Sequence, residues 1–167
     1  MNHIPDDVPE HLLDFLRDNC LEIDFVAPGV PMPSGALAAQ AIRVPEDQIL
    51  KTLLFAGDAG DYVVVIANGT RRIDRSRLAH AAAIRKPRPA NPDDVIAVTG
   101  YPAGGVAPLG LPASVQVVVD AATAALDFAY GGGGQEHLLL RVQISDVICC
   151  NNALVADIVE RFEHIPR

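Results

Sequence analysis

Tryptophan is absent from this chain, aromatic residues make up only 5% of it, and cysteine occurs three times. Cys20 stands alone, and Cys149 and Cys150 are adjacent. An odd count with that spacing builds no disulfide framework and points to a reducing cytoplasm. The five histidines (His3, His11, His80, His137 and His164) are scattered, and no CxxC or HExxH occurs. The ligand spacing of a structural zinc site is therefore missing, and no metal or other cofactor is expected. No apolar run approaches the roughly 18 residues that a membrane span needs. The first ten residues carry Asp6, Asp7 and Glu10 without an apolar block, so no secretory leader is expected there. GxSxG is absent, and so is the GK[ST] of a phosphate-binding loop. Gly131 to Gly134 lack the GxGxxG order of a dinucleotide fingerprint and read as a sharp turn beside a pocket. An enzyme built on this sequence would work without a protein nucleophile or a metal.

What is present is a chain of 167 residues, 50% hydrophobic and 20% charged. That length buries about two-thirds of the unfolded surface and suits one domain, with a core from about residue 8 to 162. The net charge of −8 argues against a general nucleic-acid binder and against DNA. Its distribution is uneven. From Arg71 to Arg88 lie Arg71, Arg72, Arg75, Arg77, Arg85, Lys86 and Arg88 against Asp74 alone, a local +6 that leaves −14 on the rest. Such a stripe is either a solvated surface or a dock for a phosphate backbone.

Periodicity predicts a helix over Val8–Asn19 with Pro9 in its first turn, then a strand over Leu21–Ala27. A Pro/Gly loop covers Pro28–Pro33, and Ser34 caps a helix over Gly35–Ile42. Lys51–Gly57 and Tyr62–Asn68 read as strands joined by a Gly/Asp hairpin. Asp74 caps a helix from Arg75 to about Ala83, and Pro92 opens one further helical turn. Val115–Asp120, Asp127–Tyr130 and His137–Val142 follow as strands, and a C-terminal helix is expected from Asp146 to about Phe162. The irregular mixture of hairpin and helical links predicts an α+β domain with a mixed sheet, not a doubly wound parallel one.

Two features carry candidate chemistry. Lys51 is one of only two lysines, against eleven arginines, and stands at the front of the apolar strand QILKTLLF. A lysine there either snorkels to solvent or offers a point charge to a phosphate or carbonyl. Thr99 to Gly110 reads TGYPAGGVAPLG, a glycine/proline loop that permits close backbone approach and can present N–H groups to an oxygen. Cys149 and Cys150 fall in a helical stretch and read as packed thiols.

In this order, SGALAAQAIRVPEDQILKTLLF, RRIDRSRLAHA, VTGYPAGGVAPLG, VQVVVD, a glycine turn and LLLRV resemble the YbaK/prolyl-tRNA-synthetase-associated domain family of aminoacyl-tRNA deacylases. The resemblance covers roughly residues 8 to 162. It implies a single domain with a mixed, partly barrel-like sheet flanked by helices, and hydrolysis in trans of the ester between a small mischarged amino acid and the tRNA 3′-terminal adenosine. The family's lysine falls on Lys51, expected at the terminal phosphate or ribose. Its GxxxP loop falls on Gly104, Gly105, Val106, Ala107 and Pro108. The two glycines would polarise the ester carbonyl while the other three residues and His137 contact the aminoacyl group. Arg71, Arg72, Arg75, Arg85, Lys86 and Arg88 would touch tRNA. The implied partners are the acceptor end of a mischarged tRNA and a synthetase such as prolyl-tRNA synthetase. Ala107 stands where many relatives have serine or threonine. The acid that a cysteine-specific branch carries after its late glycine turn aligns roughly with Leu139. A non-catalytic tRNA- or synthetase-binding module of the same fold is the alternative.

Overall fold

A computed structural model describes residues 3–161. The backbone forms eight strands and six α-helices among those residues. In chain order they are α1 (Glu10–Asp18), β1 (Asp24–Val26), α2 (Gly35–Ile42), β2 (Leu50–Ala56), β3 (Tyr62–Asn68), α3 (Arg75–Ala82), β4 (Arg88–Pro89), α4 (Pro92–Thr99), β5 (Gln116–Asp120), α5 (Ala121–Ala124), β6 (Phe128–Gly132), β7 (Leu139–Gln143), α6 (Ile144–Cys150) and β8 (Leu154–Ala156). A single 3₁₀ turn at Glu46–Gln48 precedes β2.

The strands make two sheets, β1-β7-β6 and β4-β2-β3-β5-β8. The first is wholly antiparallel. The second is mixed: β2 runs antiparallel to β3 and β4, whereas β3-β5 and β5-β8 are parallel. A parallel bridge between Ile49 and Tyr130 joins the sheets where β2 begins. That junction brings the two sheets together in an α+β domain with a mixed sheet, as expected from the sequence. Strand β3 is buried over Val63–Ala67, as a central strand covered on both faces must be. The largest core cluster lies between the sheets and takes in Leu12, Leu54, Ile66, Tyr101, Leu109 and Leu140.

Local chemistry sets most element ends. The Ser34, Asp74 and Asn91 side chains accept from the amides of Leu37, Arg77 and Asp94, capping α2, α3 and α4. Pro9 is the residue before α1, not its first turn. The strand expected at Leu21–Ala27 shrinks to β1. The single turn expected at Pro92 is a full helix, because Asn91 and Pro92 start it and Asp93 and Asp94 favour its N-terminal dipole.

The expected C-terminal helix is corrected. Helix α6 ends at Cys150, and the chain turns at Asn151 and Asn152, the latter in the left-handed region (φ 46°), before entering β8. Asparagine tolerates that conformation at helix ends. Val155 then pairs with Val119, so long-range parallel pairing overrides the apparent helical period. Phe162, the expected end of that helix, lies outside the described residues, as does His164.

Candidate active site

Strand β2 enters the junction between the sheets with Lys51 on its second residue, paired in register with Ala67 of β3. Beside it opens a cavity of about 930 Å³. Its walls are the loop from Ala27 to Gly35, the first residues of β2, Gly69, the glycine loop at Gly104 and Val106, and the segment Glu136–Leu139. Lys51, Gly104, Val106 and His137, all expected at the site, line it together.

Lys51 is half-buried, and its ammonium donates to the Arg71 carbonyl. Burial, reinforced by the nearby Arg72 guanidinium, pushes the ammonium below its ordinary value of 10.5. The next side chain, Thr52, also lines the cavity, and its buried Oγ1 has no hydrogen-bond partner. Ser34 contributes a cavity-lining hydroxyl, but its Oγ accepts from the Leu37 amide as a helix cap.

The glycine loop is held in place from behind. Tyr101 is fully buried and its hydroxyl donates to the Leu109 carbonyl at 2.7 Å. The Pro108 carbonyl accepts from Asn151 Nδ2 at 2.7 Å. The late glycines supply room rather than a nucleotide loop. A Cβ at Gly132 would lie 2.5 Å from the Val106 carbonyl oxygen, and one at Gly105 would lie 2.8 Å from the Gln135 carbonyl carbon. Only glycine permits that backbone approach. Gly104 sits at φ 85°, a left-handed conformation that favours glycine, and lines the cavity.

Not every expected site residue reaches the cavity. The Gly105 amide donates to the Pro102 carbonyl at 2.9 Å, so its N–H is engaged within the loop. Ala107 is fully buried in the core, and the Pro108 ring packs toward Gly131. The basic run divides between the two ends of β2. Arg72 lies near Lys51, whereas Arg88 pairs with Ala56 at the opposite end. Arg75 Nε donates to the Pro87 carbonyl, and Arg85 pairs with Asp58. Cys149 is exposed rather than packed. Burial, then Asp146 and Cys149, push the Cys150 thiol up, away from thiolate character.

Glu136 lines the cavity next to Gly104 and was missed. Its signal in the sequence is an acid two residues after Gly134, at the end of the late glycine turn. Leu139 also lines the cavity. No group of three or more His, Cys, Asp or Glu positioned to hold a metal ion occurs among the described residues.

Residues 31–149, which include β2, the glycine loop and Glu136, match the aminoacyl-tRNA editing domain. The chain belongs to that family. The editing domain is 32% identical over 82 residues to a proline–tRNA ligase of Lactobacillus gasseri, a stretch that is 49% of this chain and 14% of the ligase. It is 31% identical over 78 residues to EbsC of Enterococcus faecalis, named as a candidate Cys-tRNA(Pro)/Cys-tRNA(Cys) deacylase, covering 47% of this chain and 48% of that protein. The chain thus spans about half or less of these curated relatives. The crystal structure of hypothetical protein APE2540 superposes with a TM-score of 0.82 at 31% identity, covering 90% of this chain and all of that one. A structure described as a candidate trans-editing enzyme for prolyl tRNA synthetase shares the fold, with a TM-score of 0.82 at 24% identity over 95% of this chain and all of that one. No helix among the described residues is long and apolar enough to cross a membrane.

Proposed function

We propose that this editing domain hydrolyses, in trans, the ester of a tRNA mischarged with a small amino acid. The observation that carries the reading is the joint placement of Lys51 and the Gly104–Val106 edge of the glycine loop on one cavity, in a chain of the editing family. The Lys51 ammonium and the N-terminus of α2 at Ser34–Gly35 put positive charge on one part of a cavity that also carries the Glu136 carboxylate, and that part suits the terminal phosphate. The unpaired Thr52 hydroxyl offers a partner to the ribose.

In the reaction, water adds to the ester carbonyl carbon, the bond to the ribose oxygen breaks, and that oxygen takes a proton. The products are a free amino acid and an intact tRNA. Donors at Gly104 and Val106 would meet the developing oxyanion, since the Gly105 N–H is engaged by Pro102. A hydroxyl of the substrate's own ribose, as the family resemblance implies, assists the chemistry. The partners are the acceptor end of a mischarged tRNA and a synthetase such as prolyl-tRNA synthetase, working in the cytoplasm.

The test is deacylation of alanyl-, seryl-, cysteinyl- and threonyl-tRNA on prolyl and other acceptors, with Lys51→Ala alongside. Lysine-dependent hydrolysis of one or two members is expected. Retained tRNA binding without hydrolysis of any member would replace this reading with the non-catalytic module.

A further inference from the structure

Asp7 precedes the stretch matched by the family and lines no part of the cavity. It nevertheless holds two residues of the segment that forms the cavity's far wall. Its carboxylate Oδ2 lies 2.5 Å from His137 Nε2, and its backbone carbonyl accepts from Gln135 Nε2 at 3.0 Å. The segment around Asp7 is anchored: Val8 and Leu12 are buried in the main core. Pro9 packs so closely on Gly134 that a Cβ there would lie 2.6 Å from the proline Cδ. On its other side the late loop backs the glycine loop, with the Gly134 amide donating to the Gly105 carbonyl at 3.0 Å. The order from outside inward is therefore Asp7, then Gln135–His137, then Gly104–Gly105.

We infer that Asp7 is a positioning residue for His137, and that it makes the N-terminal segment part of the active site. The inference rests on the deacylase reading proposed above. The Nε2–H donates to the Asp7 carboxylate, so the ring is held in one orientation and Nδ1 is the nitrogen turned away from Asp7 and left for the substrate. The His137 and Asp7 side chains are 59% and 47% exposed. A contact so open to water contributes little to stability, so its worth lies in orientation. Loss of that orientation at a reacting site costs on the order of tenfold or more in rate.

The experiment is steady-state deacylation of the tRNA panel by wild type, Asp7→Ala, Asp7→Asn, His137→Ala and the Asp7→Ala/His137→Ala double variant. Thermal midpoints and the His137 ring 15N shifts are measured on the same proteins. Asp7→Ala should lower kcat/KM about tenfold at a near-unchanged midpoint. The loss should fall unequally across the panel, heaviest on the best substrate. Asp7→Asn, which keeps an acceptor oxygen, should recover part of it, and Asp7→Ala should add nothing once His137 is gone. The ring shifts should move in Asp7→Ala. Three results would overturn the inference: unchanged kinetics, a uniform loss that tracks unfolding, or the same loss in the His137→Ala background. A wild type inactive on every tRNA would remove the deacylase reading and any kinetic role for Asp7 with it. The ring shifts would then decide separately whether Asp7 holds His137, and unchanged shifts would sink that too.

Discussion

Lys51 is charged in a place that resists charge, because burial and Arg72 both oppose its ammonium. The unfolded chain binds that proton more tightly than the folded one. The folded state is therefore penalised at neutral pH, and the penalty fades as pH rises toward the ordinary value of 10.5. Lys51→Met should raise the thermal midpoint at pH 7 while lowering deacylation at least about a hundredfold, the scale of losing one preorganised electrostatic contact. Its stability advantage should shrink as pH climbs toward 10.5. Melting curves of both proteins from pH 7 to 10.5, with activity at pH 7, check all three points. A variant that melts lower at every pH would show that Lys51 is there for the fold.

Among the elements, the loop from Tyr101 to Leu109 depends on one buried hydroxyl. Burial raises Tyr101 above its ordinary 10.0, so the folded chain keeps a proton that the unfolded chain gives up above that pH. Stability from this group is whole below pH 10 and drains away as pH rises beyond it. Tyr101→Phe should cost about 1–3 kcal/mol at pH 7, because the Leu109 carbonyl loses its donor. It should also flatten the alkaline decline, as denaturant titrations at pH 7 and above 10 would show. This loop illustrates what the sequence discloses and what it withholds. Its glycines and prolines were plain, and Lys51 stood out by rarity. That Gly105 spends its amide on Pro102 is a matter of backbone geometry that no composition reveals. Strand β8 was hidden for a different reason. Leu154–Ala156 is three residues long, and only pairing with β5, more than thirty residues away in sequence, makes it a strand. Caps at Ser34 and Asp74, by contrast, are local, and local chemistry was readable. Glu136 reaches the cavity only through the folded late loop, which no local pattern announces.

At the scale of the whole molecule, the proposed function requires an acidic protein of net charge −8 to approach a polyanion. Most of its surface repels that partner, which confines docking to basic places. Arg72 beside Lys51 and Arg88 at the other end of β2 are too far apart to serve one phosphate, since Ala56 lies five steps along the strand from Lys51 at roughly 3.3 Å each. Arg72→Ala should weaken tRNA binding and reduce the slope of log affinity against log salt by roughly one. Arg88→Ala should leave the slope nearer wild type if the acceptor end occupies the cavity alone. Filter binding across a salt series separates the two. Equal effects would mean that tRNA runs along the whole strand.

The parallel pairing of β3 with β5 carries a consequence for how the protein comes into being. Everything from residue 69 to 115, including α3, β4, α4 and the glycine loop, must be threaded across before those two strands meet. Closing so long a crossover is slow compared with zipping the β2–β3 hairpin beside it. Lys51 is thus seated early, on a ribbon that forms locally, and waits for the loop it faces. A growing chain on the ribosome carries the lysine long before it carries the wall opposite. The cavity is complete only after β6 and β7 have emerged, so a half-made copy lacks the walls at Gly132 and Leu139 that close it.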